Sequence, residues 1–273
     1  MFSNTTPTRL ALPAAVLATA LSTGAAAAPV QVQVTVENLA PANSIAFAPL
    51  HLGFNSGVFD AFDIGQAAGA EIATLAESGS NALWTPAFLA ADPSATVGTI
   101  PPAGIIGGET SFGTFMVDPG VNQYFTFAAM VVPSNDFFIG NDDPTQYKLF
   151  DGAGNLQISS ITLTSKDIWD AGSEIYDPSA AAFVTIGNPG DRVDQNSVVA
   201  HNFAEFYGYN GLTTARGYVF DSQLAASTPV YRISFAVAPV PEPETYAMFL
   251  AGLGVVSLAL RRCGLRQDKG PLG

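Results

Sequence analysis

Two segments near the ends of the central part of the chain alternate between apolar and polar residues. Residues 30–39 and 230–238 both follow this period of two, which is typical of a strand with one face on the core and one in water. Residues 122–133 are mostly apolar and end on Pro133, which predicts a central strand that stops there. The pattern therefore indicates a β protein.

Shorter elements are predicted between these strands. The apolar spacing in residues 65–79 predicts one or two helical turns that end before Gly79. Residues 81–120 lack a clear period, and their glycine- and proline-rich part at 98–111 predicts an exposed loop. Further short strands are predicted at residues 44–54, 146–163, 181–187 and 213–220. Many short strands with little helix favour an all-β fold, an antiparallel β-sandwich with one or two short helices.

The first 27 residues have the order of a secretory signal peptide. Arg9 precedes a long apolar run, which is followed by small residues. Cleavage after Ala27 leaves the small-x-small pattern that signal peptidases accept. We therefore expect residues 1–27 to be removed as a signal helix outside the domain, and residues 28–238 to form the folded domain.

The other end of the chain has a short apolar segment with a positive flank. Residues 246–260 carry no charge and are followed at once by Arg261 and Arg262. A helix of this length spans roughly 22 Å, which is short of the ~30 Å hydrocarbon core of a bilayer. The arginine pair nevertheless favours a short membrane helix, since positive flanks stay on the cytoplasmic side.

This segment, together with Pro241-Glu242-Pro243 just before it, resembles the PEP-CTERM sorting domain. The resemblance implies a sorting segment at residues 239–263, transient insertion in the membrane, and a cytoplasmic tail at residues 264–273. It also implies that an exosortase-type enzyme cuts near the Pro-Glu-Pro motif. We therefore expect an inner-membrane intermediate, and a cell-surface or extracellular location after processing.

The central part of the chain is strongly acidic. Between Ala28 and Val240 there are twenty acidic and five basic residues, which gives a formal charge of −15. Such a surface repels nucleic acid and attracts cations, so no nucleic-acid partner is expected. The single cysteine, Cys263, lies beyond the apolar segment, so the exported body has no disulfide and no thiolate chemistry.

One carboxylate, Asp136, stands where a buried strand ends, in the sequence VVPSNDFFIGND. A carboxylate against apolar surface is costly unless a cation or a hydrogen-bond donor meets it. Further along, Asp170 and Glu174 flank Gly172, which permits a sharp turn around one ion. Oxygen ligands on a flexible loop suit calcium, whereas the lack of cysteine in the body argues against zinc.

Two motifs resemble the spondin N-terminal domain family. They are residues 133–140, Pro-Ser-Asn-Asp-Phe-Phe-Ile-Gly, and residues 170–174, Asp-Ala-Gly-Ser-Glu, within a similarity that covers residues 30–187. The resemblance implies a β-sandwich like a C2 domain, with calcium bound at one end by Asp136, Asp170 and Glu174. The chain departs from the family in having Phe137 in place of Trp and Glu174 in place of Asp.

The sequence favours a binding module over an enzyme. It has no G-x-S-x-G elbow, its glycine-rich GIIGGE lacks the Lys-Ser/Thr of a phosphate loop, and His51 is expected to be a hydrogen-bonded structural residue. We expect a calcium-binding adhesion or extracellular-matrix module that meets surface polysaccharide or a surface protein. The alternative is a calcium-dependent hydrolase of surface polysaccharide, with a pair of carboxyl groups as acid and base.

Overall fold

The computed structural model describes residues 28–101, 105–239 and Leu253. The predicted signal peptide, the Pro241-Glu242-Pro243 motif, the apolar segment 246–260 apart from Leu253, Arg261, Arg262 and the tail lie outside the described residues. Within the described residues, no helix is both long enough and apolar enough to cross a membrane.

Ten strands and two α-helices are the main regular elements of the described chain. The strands are β1 (Val30–Asn38), β2 (Ala46–Phe47), β3 (Leu50–Asn55), β4 (Thr96–Ile100), β5 (Thr110–Val117), β6 (Tyr124–Val132), β7 (Phe137–Gly140), β8 (Ser160–Thr164), β9 (Ile168–Asp170) and β10 (Pro229–Pro239). The helices are α1 (Ala70–Ser78) and α2 (Trp84–Ala91), with short 3₁₀ helices at Ser165–Asp167, Pro189–Asp191 and Phe203–Tyr209. This composition confirms the predicted all-β class.

The strands form two antiparallel sheets that pack face to face. One sheet has the order β5-β1-β10-β8, and the other has the order β4-β3-β6-β7-β9, with β2 paired to β6. The main core lies between them and includes Val34, Phe54, Phe127 and Ile233. The β-sandwich predicted from the alternating segments is therefore confirmed.

Strand β6 is mostly apolar and is buried from Phe125 to Val132 because both of its faces are covered. Phe125 and Phe127 point into the core between the sheets, whereas Ala128 points into a second core under α1 and α2. Helix α2 comes so close to β3 that a Cβ atom at Gly53 would lie 2.3 Å from Cζ of Phe88. The helices thus form a third layer on the second sheet.

Several local predictions were wrong. Residues 81–120 contain α2, β4 and β5, in place of the irregular stretch and exposed loop that the lack of a period suggested. Conversely, residues 181–187 and 213–220 make only isolated bridges, such as Val184 with Thr214. They belong to a long loop-rich region between β9 and β10, where apolar side chains pack without forming a ladder.

Candidate functional site

Asp136 lies in the short connection between β6 and β7, and only 3% of it is exposed. Its Oδ2 atom accepts hydrogen bonds from the Ser173 backbone N–H at 2.7 Å, the Ser173 hydroxyl at 3.1 Å and the Glu174 backbone N–H at 2.9 Å. The partners of this buried carboxylate are therefore hydrogen-bond donors of the second motif, which Asp136 ties to the end of β6.

The second motif can meet Asp136 because it turns sharply at Gly172. This residue has a φ of +66°, and a Cβ atom there would lie 2.7 Å from the Val198 carbonyl oxygen. The turn is held by Asp170, whose Oδ1 accepts from the Gly172 N–H at 2.8 Å. Glycine is the residue that fits both this backbone conformation and this close approach.

Asp136, Asp170 and Glu205 form an acidic cluster. Burial, and then the charge of Asp170, raise the pKa of Asp136 to about 6. Burial, followed by the charges of Asp170 and Asp136, raises the pKa of Glu205 to about 7. Asn202 bridges the group by donating to Asp170 Oδ2 at 3.2 Å and to Glu205 Oε2. In the described ranges, no Lys or Arg forms an ion pair with any of the three acids.

Glu174 points away from this cluster. Its Oε1 lies 2.9 Å from Nε of Arg192, and its side chain is only 1% exposed. The Arg192 Nε–H donates to the Pro189 carbonyl at 2.7 Å, so the contact is an ion pair without a hydrogen bond, and both Glu174 oxygens lack a donor. Burial and the nearby Glu77 and Asp136 charges outweigh the attraction of Arg192 and raise the pKa of Glu174 to about 8.

The structure therefore brings together two of the three predicted metal ligands. Asp136 and Asp170 are neighbours, whereas the carboxyl group of Glu174 meets Arg192 and Glu77. Glu205 joins the two aspartates instead, because the 3₁₀ helix Phe203–Tyr209 packs Phe206 into the core and brings Glu205 to their side. Its sequence, NFAEFYGYN, gave no sign of this role.

The oxygen-rich composition of the cluster suits a hard cation such as calcium. In the described part of the chain, however, no set of three or more Asp, Glu, His or Cys side chains is arranged to hold a metal ion. The fit is thus partial: Asp136 and Asp170 are neighbours, whereas the carboxyl group of Glu174 has suitable oxygen atoms but is directed to Arg192.

The other candidate residues have structural surroundings. Nδ1 of His51 lies 2.9 Å from the Thr99 hydroxyl and Nε2 lies 3.0 Å from the Gly79 carbonyl, as expected for a structural histidine. Trp84 is fully buried. Trp169 is 7% exposed and stacks on His201 with ring centroids 3.9 Å apart. Neither tryptophan offers a free face to a sugar.

Two cavities lie near the acidic cluster. One of about 280 Å³ is lined by Glu77, Ser173 and Asp194, among others. The other, of about 250 Å³, is lined by Asp142, Tyr147 and Asp167, among others. Neither has Asp136, Asp170 or Glu205 in its wall, so the acidic cluster does not line either cavity.

The comparison with protein families gives one match. The PEP-CTERM protein-sorting motif matches residues 239–262. The chain carries an exosortase sorting signal. This PEP-CTERM signal indicates export to the cell surface through processing by a membrane-associated exosortase, as predicted from the Pro-Glu-Pro motif and the arginine pair. It begins at the last residue of β10, so the folded body and the signal are contiguous.

The comparisons say nothing further about the body of the protein. No curated protein matches the chain. The family comparison does not support the spondin resemblance of residues 30–187, so that resemblance and the calcium site that it implies remain predictions.

Proposed function

We propose that the exported protein is a non-catalytic adhesion or matrix-type module that binds surface polysaccharide or a surface protein. The use of Asp136 carries this proposal. The Oδ2 atom of Asp136 accepts three hydrogen bonds that connect two loops, and only 3% of the residue is exposed. A carboxyl group in this position supports the shape of the sandwich end and is poorly placed to meet a substrate.

A calcium-dependent polysaccharide hydrolase is the second candidate. The raised pKa values of Asp136, about 6, and Glu205, about 7, favour it, because carboxyl groups with separated and raised pKa values are typical of glycosidase acid–base pairs. The lack of these residues in the walls of the two neighbouring cavities speaks against it. The binding role is therefore the better supported of the two.

Binding and turnover can be separated on the purified exported protein. We expect it to be retained by surface polysaccharide or by outer-surface proteins of the producing cell, and to release no reducing ends from that polysaccharide. Release of reducing ends that is lost in both Asp136→Asn and Glu205→Gln, with Asp63→Asn as the exposed control, would replace the binding role with the hydrolase.

We also propose that the sandwich end binds calcium through Asp136 and Asp170. Two neighbouring carboxylates without a described cationic partner attract a divalent cation, and the spondin resemblance points to the same pair. Bound calcium would supply the positive charge that lets both groups ionise side by side. The sequence motif names Glu174 as the third carboxyl ligand, and the alternative is Glu205, whose charge interacts with both aspartates.

Calcium is expected to stabilise the exported protein against unfolding. With a dissociation constant of about 10⁻⁴ to 10⁻³ M, as in extracellular calcium modules, a tenfold excess of calcium over that value adds roughly 1.4 kcal/mol. Thermal unfolding in calcium and in chelator measures this shift. Asp136→Asn and Asp170→Asn should abolish it, and Asp63→Asn should keep it.

The third ligand is decided by two further variants in the same measurement. Loss of the shift in Glu205→Gln but not in Glu174→Gln supports the described cluster, and the reverse supports the motif. A full shift in Asp136→Asn would mean that any calcium binds elsewhere.

A further inference from the structure

The outward face of the sheet β5-β1-β10-β8, called the outer face below, has an unusual charge distribution for this protein. On β1 the outward residues are Gln31, Gln33, Thr35 and Glu37, which alternate with the buried valines. Glu37 is the only acid at the outward positions of the four strands, and its Oε2 lies 2.9 Å from Nη1 of Arg232 on β10. The outer face is therefore neutral, although the surrounding body has a formal charge of −15.

A shallow groove of about 330 Å³ crosses this face. Its lining consists of Gln31, Gln33, Thr114, Ala236, Val237 and Ala238. Register pairing explains the shape, because Gln33 stands between Thr114 on β5 and Ala236 on β10. The small alanines leave space beside the long amide side chains. The walls of the groove thus carry uncharged donors and acceptors.

These polar groups are available to a ligand. Within the described residues, the side chains of Gln31, Gln33 and Thr114 have no hydrogen-bond partner, and both glutamines are exposed. Each amide offers two donor hydrogens and one acceptor oxygen. Such groups match the hydroxyl groups of a sugar, which both donate and accept.

Strand β5 adds an exposed aromatic ring and a thioether to the same face. Phe112 is 63% exposed and Met116 is 48% exposed. The inward positions of the strand hold Ser111, Gly113, Phe115 and Val117, so large apolar residues lie on both of its faces. Burial in the fold explains Phe115 and Val117, but it does not explain the exposure of Phe112 and Met116. A ligand that covers the Phe112 ring would explain it.

We propose that the outer face binds a neutral polysaccharide, with its chain in the groove and a sugar ring against Phe112. This inference rests on the proposed binding function and names its ligand class and surface. Anionic polymers are disfavoured because the face offers no unpaired cation and the rest of the body repels them. A second copy of the chain is disfavoured by the same repulsion between two acidic bodies. Free amides, hydroxyls and one aromatic ring are the groups that typically orient an uncharged polar ligand.

The test uses the purified exported protein and affinity electrophoresis in gels that contain dextran, pullulan, galactomannan or hydroxyethyl cellulose, with alginate as the anionic comparison. Retardation is expected with at least one neutral polymer and not with alginate.

Gln33→Glu places a charge in the groove, and Phe112→Ser removes the ring. Each should weaken the binding at least tenfold. Gln66→Glu makes the same charge change at an exposed position outside the groove, and it should change the binding less than twofold.

Different failures have different meanings. Binding to a neutral polymer that survives both Gln33→Glu and Phe112→Ser would overturn the assignment of the outer face while the binding function stands. Binding to alginate alone, or to none of these polymers, would overturn the neutral ligand class. Self-association that Gln33→Glu abolishes, without polymer binding, would replace the polysaccharide with a second copy. Hydrolysis of a bound polymer would remove the proposed non-catalytic function, and the same variants would still show whether the outer face binds it.

Discussion

Replacing Asp136 by alanine is expected to lower the free energy of unfolding by about 3 kcal/mol, because each buried donor left without a partner costs roughly 1–3 kcal/mol. The side chain accepts from two backbone N–H groups and one hydroxyl of residues 173 and 174. Alanine leaves these groups without an acceptor in a site where Asp136 is 3% exposed. Relief of the repulsion between Asp136 and Asp170 offsets part of this loss.

The Asp136→Asn variant distinguishes the contribution of the hydrogen bonds from the contribution of the negative charge. Its amide oxygen can accept the same bonds, while its neutral NH₂ group no longer repels Asp170, so we expect a change within about 1 kcal/mol. Urea unfolding of both variants in the presence of chelator, at pH 7, measures the difference. If alanine and asparagine had equal effects, the carboxylate would matter for its charge, and the proposed anchoring of the second motif would be wrong.

Replacing Glu174 by glutamine is expected to stabilise the protein in alkaline buffer. Burial is the main cause that raises the pKa of this carboxyl group from 4.5 to about 8. A carboxyl group with a raised pKa in the folded state holds its proton longer there than in the unfolded chain. Its contribution to stability is therefore complete below pH 4.5, falls as the pH rises, and is lost above pH 8.

Glutamine stays neutral and keeps the shape of the side chain, so this loss should disappear in the variant. At pH 9 we expect Glu174→Gln to be more stable than the wild type by about 2 kcal/mol, a rise in Tm of about 4–8 °C. At pH 4.5 the two proteins should agree. Thermal unfolding in chelator across pH 4–9 gives the comparison, with Glu71→Gln as the matched control on α1. Parallel pH profiles for the variant and the wild type would show that Arg192 keeps Glu174 ionised.

The sequence predicts the strands whose side chains obey a simple burial rule. Strands β1 and β10 alternate because one face meets the core and the other meets water, and β6 is apolar because the second sheet is covered on both sides. These three strands were found from their pattern alone. Since β1 pairs with β10 along nine positions, they also hold most of the first sheet together.

Strand β5 could not be found in this way. Its exposed positions include Phe112 and Met116, and its inward positions include Ser111 and Gly113 as well as Phe115 and Val117. Hydrophobicity therefore does not distinguish the two faces of this strand. Helix α2 was hidden for another reason. It is only eight residues long and contains Pro86, and it is stabilised by the packing of Trp84 and Phe88, which no local pattern reveals.

In the candidate site, too, some residues could be predicted from the sequence and others could not. Asp136 and Asp170 belong to short motifs, and the sharp turn at Gly172 could be predicted from the sequence because it needs a positive φ. The direction of Glu174 depends on Arg192, eighteen positions further on. The position of Glu205 depends on how Phe206 packs in the core. Both are tertiary effects, and spacing along the chain carries no information about them.

The pairing of Val30 with Pro239 brings the two ends of the described body side by side. Val30 is the third residue after the predicted signal-peptide cut, and Pro239 is the first residue of the sorting-motif match, so the chain enters and leaves the body at one pole. Thr96 contacts the Met116 carbonyl at that pole, whereas Ala46 pairs with Val132 at the far one, beside the connection that holds Asp136. The acidic cluster therefore lies at the pole opposite to the one where the sorting motif begins. A reporter domain fused at residue 28 or just after residue 239 would lie away from the acidic cluster.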